Sequence, residues 1–238
     1  TRSMFQFLQP YRKRLSERMS LVRDQKLYTG TELSAFRPDL QNIEAEIAAA
    51  KNLLAPFHKE YQQDISSGSA AASLDLAALI YACCVSVSAK RVIDLGSGFT
   101  SFVLRKYQSR SDHPVDVWSV DDSEEWLAAT GRYLQSKGLS SDNLMLWDDF
   151  AASLASIAPL DLVVLDVRPI SRRVEWLPRL IDSLTPQGVV IADDMHKPHM
   201  RRPTLEAVRE KNAFSIDCSR LTKDSYGRFA AAIFPPQN

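Results

Sequence analysis

One stretch constrains the fold more than any other: Arg91-Val92-Ile93-Asp94-Leu95-Gly96-Ser97-Gly98-Phe99-Thr100-Ser101. Val92, Ile93 and Leu95 form a short apolar run of the kind buried on both faces of a parallel sheet. Two glycines separated by one residue follow, and Phe99 to Tyr107 carries helical spacing. The segment therefore reads as strand, tight turn and helix start. Such a turn directs backbone N–H groups and a helix N-terminus at one point. Doubly wound folds hold a ligand there, at the carboxyl end of the first strand.

The ligand is narrowed by two departures from a dinucleotide fingerprint. The third glycine of that fingerprint is replaced by Ser101, and Asp94 stands two residues before Gly96. A carboxylate facing the turn repels a pyrophosphate and suits a ligand with an ammonium group and no phosphate. S-adenosylmethionine, an amino acid joined through a sulfonium to adenosine, is such a ligand. Asp94-Leu95-Gly96-Ser97-Gly98 also resembles the first motif of the class I S-adenosylmethionine-dependent methyltransferases. The resemblance runs from about Ser66 to the C-terminus, with later segments matching in order. It is nearest to the small-molecule, catechol-type O-methyltransferases. It implies an α/β fold: a Rossmann-like, seven-stranded doubly wound sheet with an antiparallel C-terminal hairpin, the seventh strand lying beside the fifth.

The cofactor side follows from the strand ends. Val115–Val120 reads as the second strand and stops at Asp121-Asp122, about one βαβ length beyond the glycines, where an acid suits ribose hydroxyls. Asp121 is the better match and Asp122 the next; Asp122 to Glu125 also reads as a helix cap. Residues 143–147 read as the third strand, followed by Asp148 and Asp149. The resemblance sets one of these, Asp149 by preference, against the adenine, with Trp147 flanking the ring. It also points to Ser67 and Gly68 for the methionine end. Gly96, Ser97 and Gly98 complete the expected cradle. Ser66 or Ser69 is the expected N-cap of a buried helix over Ala70–Val85.

The catalytic edge is read from the next two strands. Residues 160–165 run apolar into Asp166, and residues 188–192 into Asp193-Asp194. Adjacent strand ends bring the three carboxylates together, so at least one has a raised pKa unless a cation joins them. By resemblance, Asp166, Asp193 and Asp194 would bind Mg²⁺ or another divalent cation, although the family's Asp-Asn pair is here Asp-Asp; without a metal, Asp166 would bind the cofactor by accepting from its ammonium. An oxygen-only set suits such ions. His196, just past the fifth strand, is the candidate general base, with Asp166 and Asp193 beside it. Arg168, Lys197, Arg201 and Arg202 could bind an acidic acceptor or be solvated surface, the second being the default reading. Phe214–Cys218 and Arg228–Phe234 read as the closing hairpin.

Residues 1–64 read as an N-terminal helical extension and 65–238 as the methyltransferase domain. One helical stripe runs through Met4, Leu8, Tyr11, Leu15, Met19 and Val22. A second runs through Leu40, Ile43, Ile47, Leu54, Phe57 and Tyr61 and is expected to kink or break before Pro56. These helices cover the domain, close over the site as a lid, or pair with a second copy as a homodimer. Thr1 in place of a methionine leaves the natural start open.

A net charge of +0 provides no overall field for nucleic acid. No apolar run is long enough to span a bilayer, and the charged N-terminus has no signal-peptide core. Three cysteines make no disulfide framework. The expectation is a cytoplasmic O-methyltransferase acting on a small hydroxylated molecule, with no nucleic-acid or membrane partner. No Asn-Pro-Pro-Tyr run or Pro-Cys nucleophile points to the nucleic-acid enzymes. Aminopropyl transfer on the same fold, and a non-catalytic methyltransferase-like scaffold, are the competing readings.

Overall fold

A computed structural model describes residues 19–68 and 70–237. Seven strands form one sheet: β1 (Arg91–Leu95), β2 (Asp116–Asp121), β3 (Leu144–Leu146), β4 (Leu160–Leu165), β5 (Leu184–Ala192), β6 (Phe214–Asp217) and β7 (Ala231–Phe234). Their order is β3-β2-β1-β4-β5-β7-β6. The first five are parallel; β7 runs antiparallel to both β5 and β6. The expected seven-stranded architecture with its antiparallel C-terminal pair is the observed one. The hairpin strands are shorter than their apolar runs, because Ser219–Thr222 forms a helical turn in the connection.

Among the described residues seven longer helices flank the sheet: α1 (Ile43–Asp64), which packs on the next two helices, α2 (Leu74–Ser86), α3 (Phe99–Gln108), α4 (Glu124–Ser136), α5 (Trp147–Ile157), α6 (Ile170–Asp182) and α7 (Pro198–Glu210). Alternation along the strands sorts the core into two layers. Val92, Leu162, Val164, Val189 and Ile191 pack with α1, α2 and α3. Ile93, Leu95, Val163, Leu165, Val190 and Ala192 pack with α5, α6 and α7. No helix among the described residues is long and apolar enough to cross a membrane. Cys83, Cys84 and Cys218 are free and buried.

Three local expectations need correction. α1 continues through Pro56 without a break. Its stripe of Ile43, Ile47, Ala50, Leu54 and Tyr61 is buried, and that packing outweighs a proline cost of about 3 kcal/mol. The buried helix starts at Leu74, capped by Ser73, whose hydroxyl accepts from the Leu76 N–H at 3.1 Å, and not by Ser66; Ser69 lies outside the described residues. Trp147 opens α5 instead of ending β3, because its ring packs edge-on to Trp176 and Phe150.

The first expected helical stripe lies mostly outside the described residues. Residues 19–24 are helical, and the chain then crosses to the open edge of β6. There the Thr29 N–H donates to the Ser215 carbonyl at 2.8 Å, and the Asp217 N–H to the Gly30 carbonyl at 3.0 Å, covering that edge. A buried ion pair ties the helical residues down. Asp24 and Arg201 are each 1% exposed, and Asp24 Oδ2 accepts from Arg201 Nη2 at 2.9 Å and Nε at 3.2 Å. Burial pushes the Asp24 carboxyl up, but the Arg201 and Ser20 hydrogen bonds and the Arg201 and Arg202 charges outweigh it and hold it below its usual value. A depressed carboxylate stabilises the fold above about pH 4, and that stability is lost as pH falls through the folded value. Asp24→Ala strands the Arg201 guanidinium, so it is expected to cost about 3–5 kcal/mol. At 2–4 °C per kcal/mol the melting temperature falls by roughly 10 °C. Thermal unfolding at neutral pH checks this; a melting temperature within a degree of wild type would contradict it.

Candidate active site

β1 and β4 are neighbours whose connections leave on opposite faces, so a crevice opens at their carboxyl ends. A cleft of about 930 Å³ occupies it, a volume ample for a cofactor and a small second molecule. Gly96, Ser97, Asp121, Asp122, Asp166, Asp193, Asp194 and His196 line it. These side chains come from β1, β2, β4 and β5, which explains why residues far apart in the chain meet.

Gly96 has φ +111°, and a Cβ there would lie 2.7 Å from the Asp166 carbonyl carbon and 2.9 Å from the Val167 nitrogen. Only glycine lets the turn pass this close to the end of β4. Asp121 locks the turn from the β2 side: its Oδ2 accepts from the Ser97 N–H at 2.9 Å and the Ser97 hydroxyl at 3.1 Å. Its Oδ1 accepts the Ser123 N–H at 3.2 Å, leaving acceptor capacity facing the cleft. Burial pushes the Asp121 carboxyl up despite these hydrogen bonds. Asp122 is engaged by Arg172 at 3.1 Å, and Arg172 also lies 4.8 Å from the Trp147 ring centre.

Asp94 does not reach the cleft wall. It is fully buried beneath the turn, where its Oδ2 accepts from Thr100 at 2.9 Å and Ser101 at 2.6 Å. Burial pushes its carboxyl up to about 7. Its place in the fold is a brace between β1 and the first turn of α3. Gly98 also lies off the lining; a Cβ there would come within 3.3 Å of the Tyr61 hydroxyl. Ser67 and Gly68 flank the cleft through their neighbours Ser66 and Ala70, and the Gly68 carbonyl accepts from Arg228. Asp148 and Asp149 are exposed in the first turn of α5, away from the lining.

The three carboxylates at the ends of β4 and β5 do converge, but a side-chain cation already joins them. Arg173, 3% exposed, places Nη2 2.7 Å from Asp166 Oδ1 and Nη1 3.2 Å from Asp194 Oδ2. Lys197 Nζ adds a second contact to Asp194 Oδ2 at 2.7 Å. Among the described residues no cluster of His, Cys, Asp or Glu is arranged to hold a metal ion. The expected divalent cation finds no support: two protein cations already engage Asp194, and one of them also holds Asp166. Burial pushes the Asp166 carboxyl up against the pull of Arg173. Burial, with Asp166 and Asp194 nearby, pushes the Asp193 carboxyl up to about 8. Burial would raise Asp194 too, but the Lys197 hydrogen bond and the Arg173 and Lys197 charges hold it down and ionised.

His196 faces this group. Its Nδ1 lies 3.7 Å from Asp194 Oδ1 and has no hydrogen-bond partner among the described residues. Burial lowers its pKa below the usual imidazole value, opposed by the Asp194 charge. The ring is neutral at pH 7, and the nearby carboxylate favours the cation once a proton arrives.

The sequence reading missed Arg173, Trp126, Tyr226 and Arg228, which also line the cleft. Arg173 stands in a polar-looking helix start, and its only signal was its place in the first turn after β4. Arg201, read as surface, is buried against Asp24.

No family model matches the chain, and no curated protein matches its sequence. Solved structures do. The O-methyltransferase TomG from Streptomyces achromogenes, involved in tomaymycin synthesis and solved with SAM (S-adenosylmethionine), superposes with a TM-score of 0.53 at 15% identity, over 81% of this chain and 90% of that one. Cofactor-bound Rv0187 from MTB gives 0.58 at 18% identity, over 85% and 91%. This is the class I methyltransferase fold. In that fold the cleft described above lies at the crevice outside the β1 and β4 strand ends. The donor set fits S-adenosylmethionine better than a phosphorylated coenzyme. Five carboxylates line the cleft against four Lys and Arg side chains; three of these, Arg173, Lys197 and Arg228, are already held by carboxylates of the chain, and Arg168 is the fourth.

Proposed function

We propose that the protein is an S-adenosylmethionine-dependent methyltransferase that methylates an oxygen of a small hydroxylated molecule. The observation that carries the reading is one cleft lined by the glycine turn and Asp121 at the β1 and β2 ends and by His196 beyond the β5 end. The likeness to TomG, whose name states O-methylation and whose structure holds SAM, supports it.

S-adenosylmethionine, when bound, supplies a methyl group already activated by the sulfonium. The chain's own residues align and deprotonate. Gly96 leaves room for close approach to the β1–α3 turn, and Asp121 offers its free acceptor capacity to the ribose hydroxyls. Asp193, protonated, donates a hydrogen bond into the cleft. His196 takes the proton of the acceptor hydroxyl as the C–S bond breaks and the O–CH₃ bond forms, and Asp194 stabilises the resulting imidazolium. The imidazolium would carry the positive charge given up by the sulfonium, with neutral S-adenosylhomocysteine as the leaving group, so charge balances. Orienting two reactants in line and removing one proton together provide the rate enhancement.

The test is calorimetric titration with S-adenosylmethionine and S-adenosylhomocysteine, then a screen of hydroxylated metabolites for turnover. Saturable binding of both is expected. Asp121→Ala should weaken S-adenosylhomocysteine by about 10–100-fold, the loss of charged hydrogen bonds worth 1.5–3 kcal/mol. Absence of heat with either ligand in the wild-type protein would defeat the reading.

A further inference from the structure

The disagreement at the β4 and β5 ends carries its own conclusion. A divalent ion of the Mg²⁺ class needs unobstructed oxygens at about 2.0–2.1 Å in near-octahedral array. Here Asp194 Oδ2 is already contacted by both Arg173 and Lys197, and Asp166 Oδ1 by Arg173. The guanidinium is not a visitor. Its Nε donates to the Val167 carbonyl and its Nη2 to the Asp166 carbonyl, so backbone and side-chain acceptors pin the planar fork on three sides. Swinging it out to admit a metal would strand a buried charge and the Asp166 and Val167 carbonyls.

We propose that Arg173 is the resident cation of this site, standing where a divalent ion would otherwise join Asp166 and Asp194, so that the protein works without a bound metal. Its role is positional. It sets the Asp194 carboxylate whose Oδ1 faces His196 at 3.7 Å. The claim about acceptor activation rests on the methyltransferase reading; the claim about cation occupancy does not.

Manganese binding separates the two. Electron paramagnetic resonance titration with Mn²⁺ should show no saturable site in the wild-type protein. Arg173→Ser should gain one Mn²⁺ per chain, lost again in the Arg173→Ser, Asp166→Asn double variant. A saturable Mn²⁺ in the wild type that Asp194→Asn abolishes would overturn the proposal, as would a folded Arg173→Ser protein that gains none. Should Arg173→Ser not fold, the wild-type and Asp194→Asn titrations decide alone. S-adenosylhomocysteine calorimetry on the same samples reports the methyltransferase reading independently, so either claim can fail while the other stands.

Discussion

Gly96→Ala is expected to abolish S-adenosylhomocysteine binding and to destabilise the fold by about 2–6 kcal/mol, since overpacking typically costs about 1–3 and a strained backbone conformation about 1–3 more. The added Cβ would sit 2.7–2.9 Å from the carbonyl carbon and oxygen of Asp166 and the nitrogen of Val167. These are backbone atoms hydrogen-bonded into the sheet, with the Asp166 N–H held by the Leu95 carbonyl at 2.7 Å, so they cannot turn aside as a side chain would. The positive φ of +111° adds strain of its own. Relief requires β1 and β4 to separate or the turn to refold, and either change moves Ser97 away from Asp121. Gly138→Ala, at a positive φ with nothing within 4 Å of a Cβ, isolates the conformational part of the cost. Thermal unfolding and calorimetry on both variants check the result. A Gly96→Ala protein that melts with wild type and still binds would remove the cradle from the argument.

His196→Ala should reduce kcat by about 10²–10⁴-fold, the usual contribution of a positioned general base. S-adenosylhomocysteine affinity should stay within about twofold, because His196 lies at the end of the cleft away from Asp121 and the glycine turn. The pH profile is the sharper readout. The base is competent only when unprotonated, so the wild-type rate rises as pH climbs through the imidazole pKa. Burial holds that value below about 6.5, so the rate is level above neutrality until Asp193 loses its proton near 8. Loss of the Asp193 proton removes a donor and adds a negative charge beside Asp166, so a second limb is expected there. The alanine variant should lose the acid limb and keep the alkaline one. An unchanged kcat with the acceptor found by screening would remove His196 from the chemistry.

The strand–turn–helix around Gly96 was legible because two periodicities and two glycines coincide in eleven residues, and few backbones satisfy all of them. The strand ends were legible for a similar reason: each apolar run stops at a carboxylate, and Asp121, Asp166, Asp193 and Asp194 all reach the cleft. Asp94 carried the sequence argument about ligand charge, yet the fold turns it inward to Thr100 and Ser101. A linear pattern places a residue at a strand end but does not say to which side of the sheet its side chain goes. Asp148 and Asp149 fail to reach the cleft because α5 begins at Trp147, whose burial against Trp176 follows from a contact about thirty residues distant along the chain.

What the sequence by itself determined is the order of elements, the seven-stranded sheet and the set of carboxylates at its carboxyl edge. The order of elements and the carboxylates follow from local periodicity and turn chemistry, which each short segment carries alone; the seven-stranded sheet is what the resemblance to a known family implied. What only the tertiary structure decided is how the charges are satisfied. Arg173 reaches Asp166 and Asp194, and Arg201 reaches Asp24. A buried charge must find its counter-charge in three dimensions, and the energy of that pairing depends on distance and desolvation, neither of which is written in the order of residues.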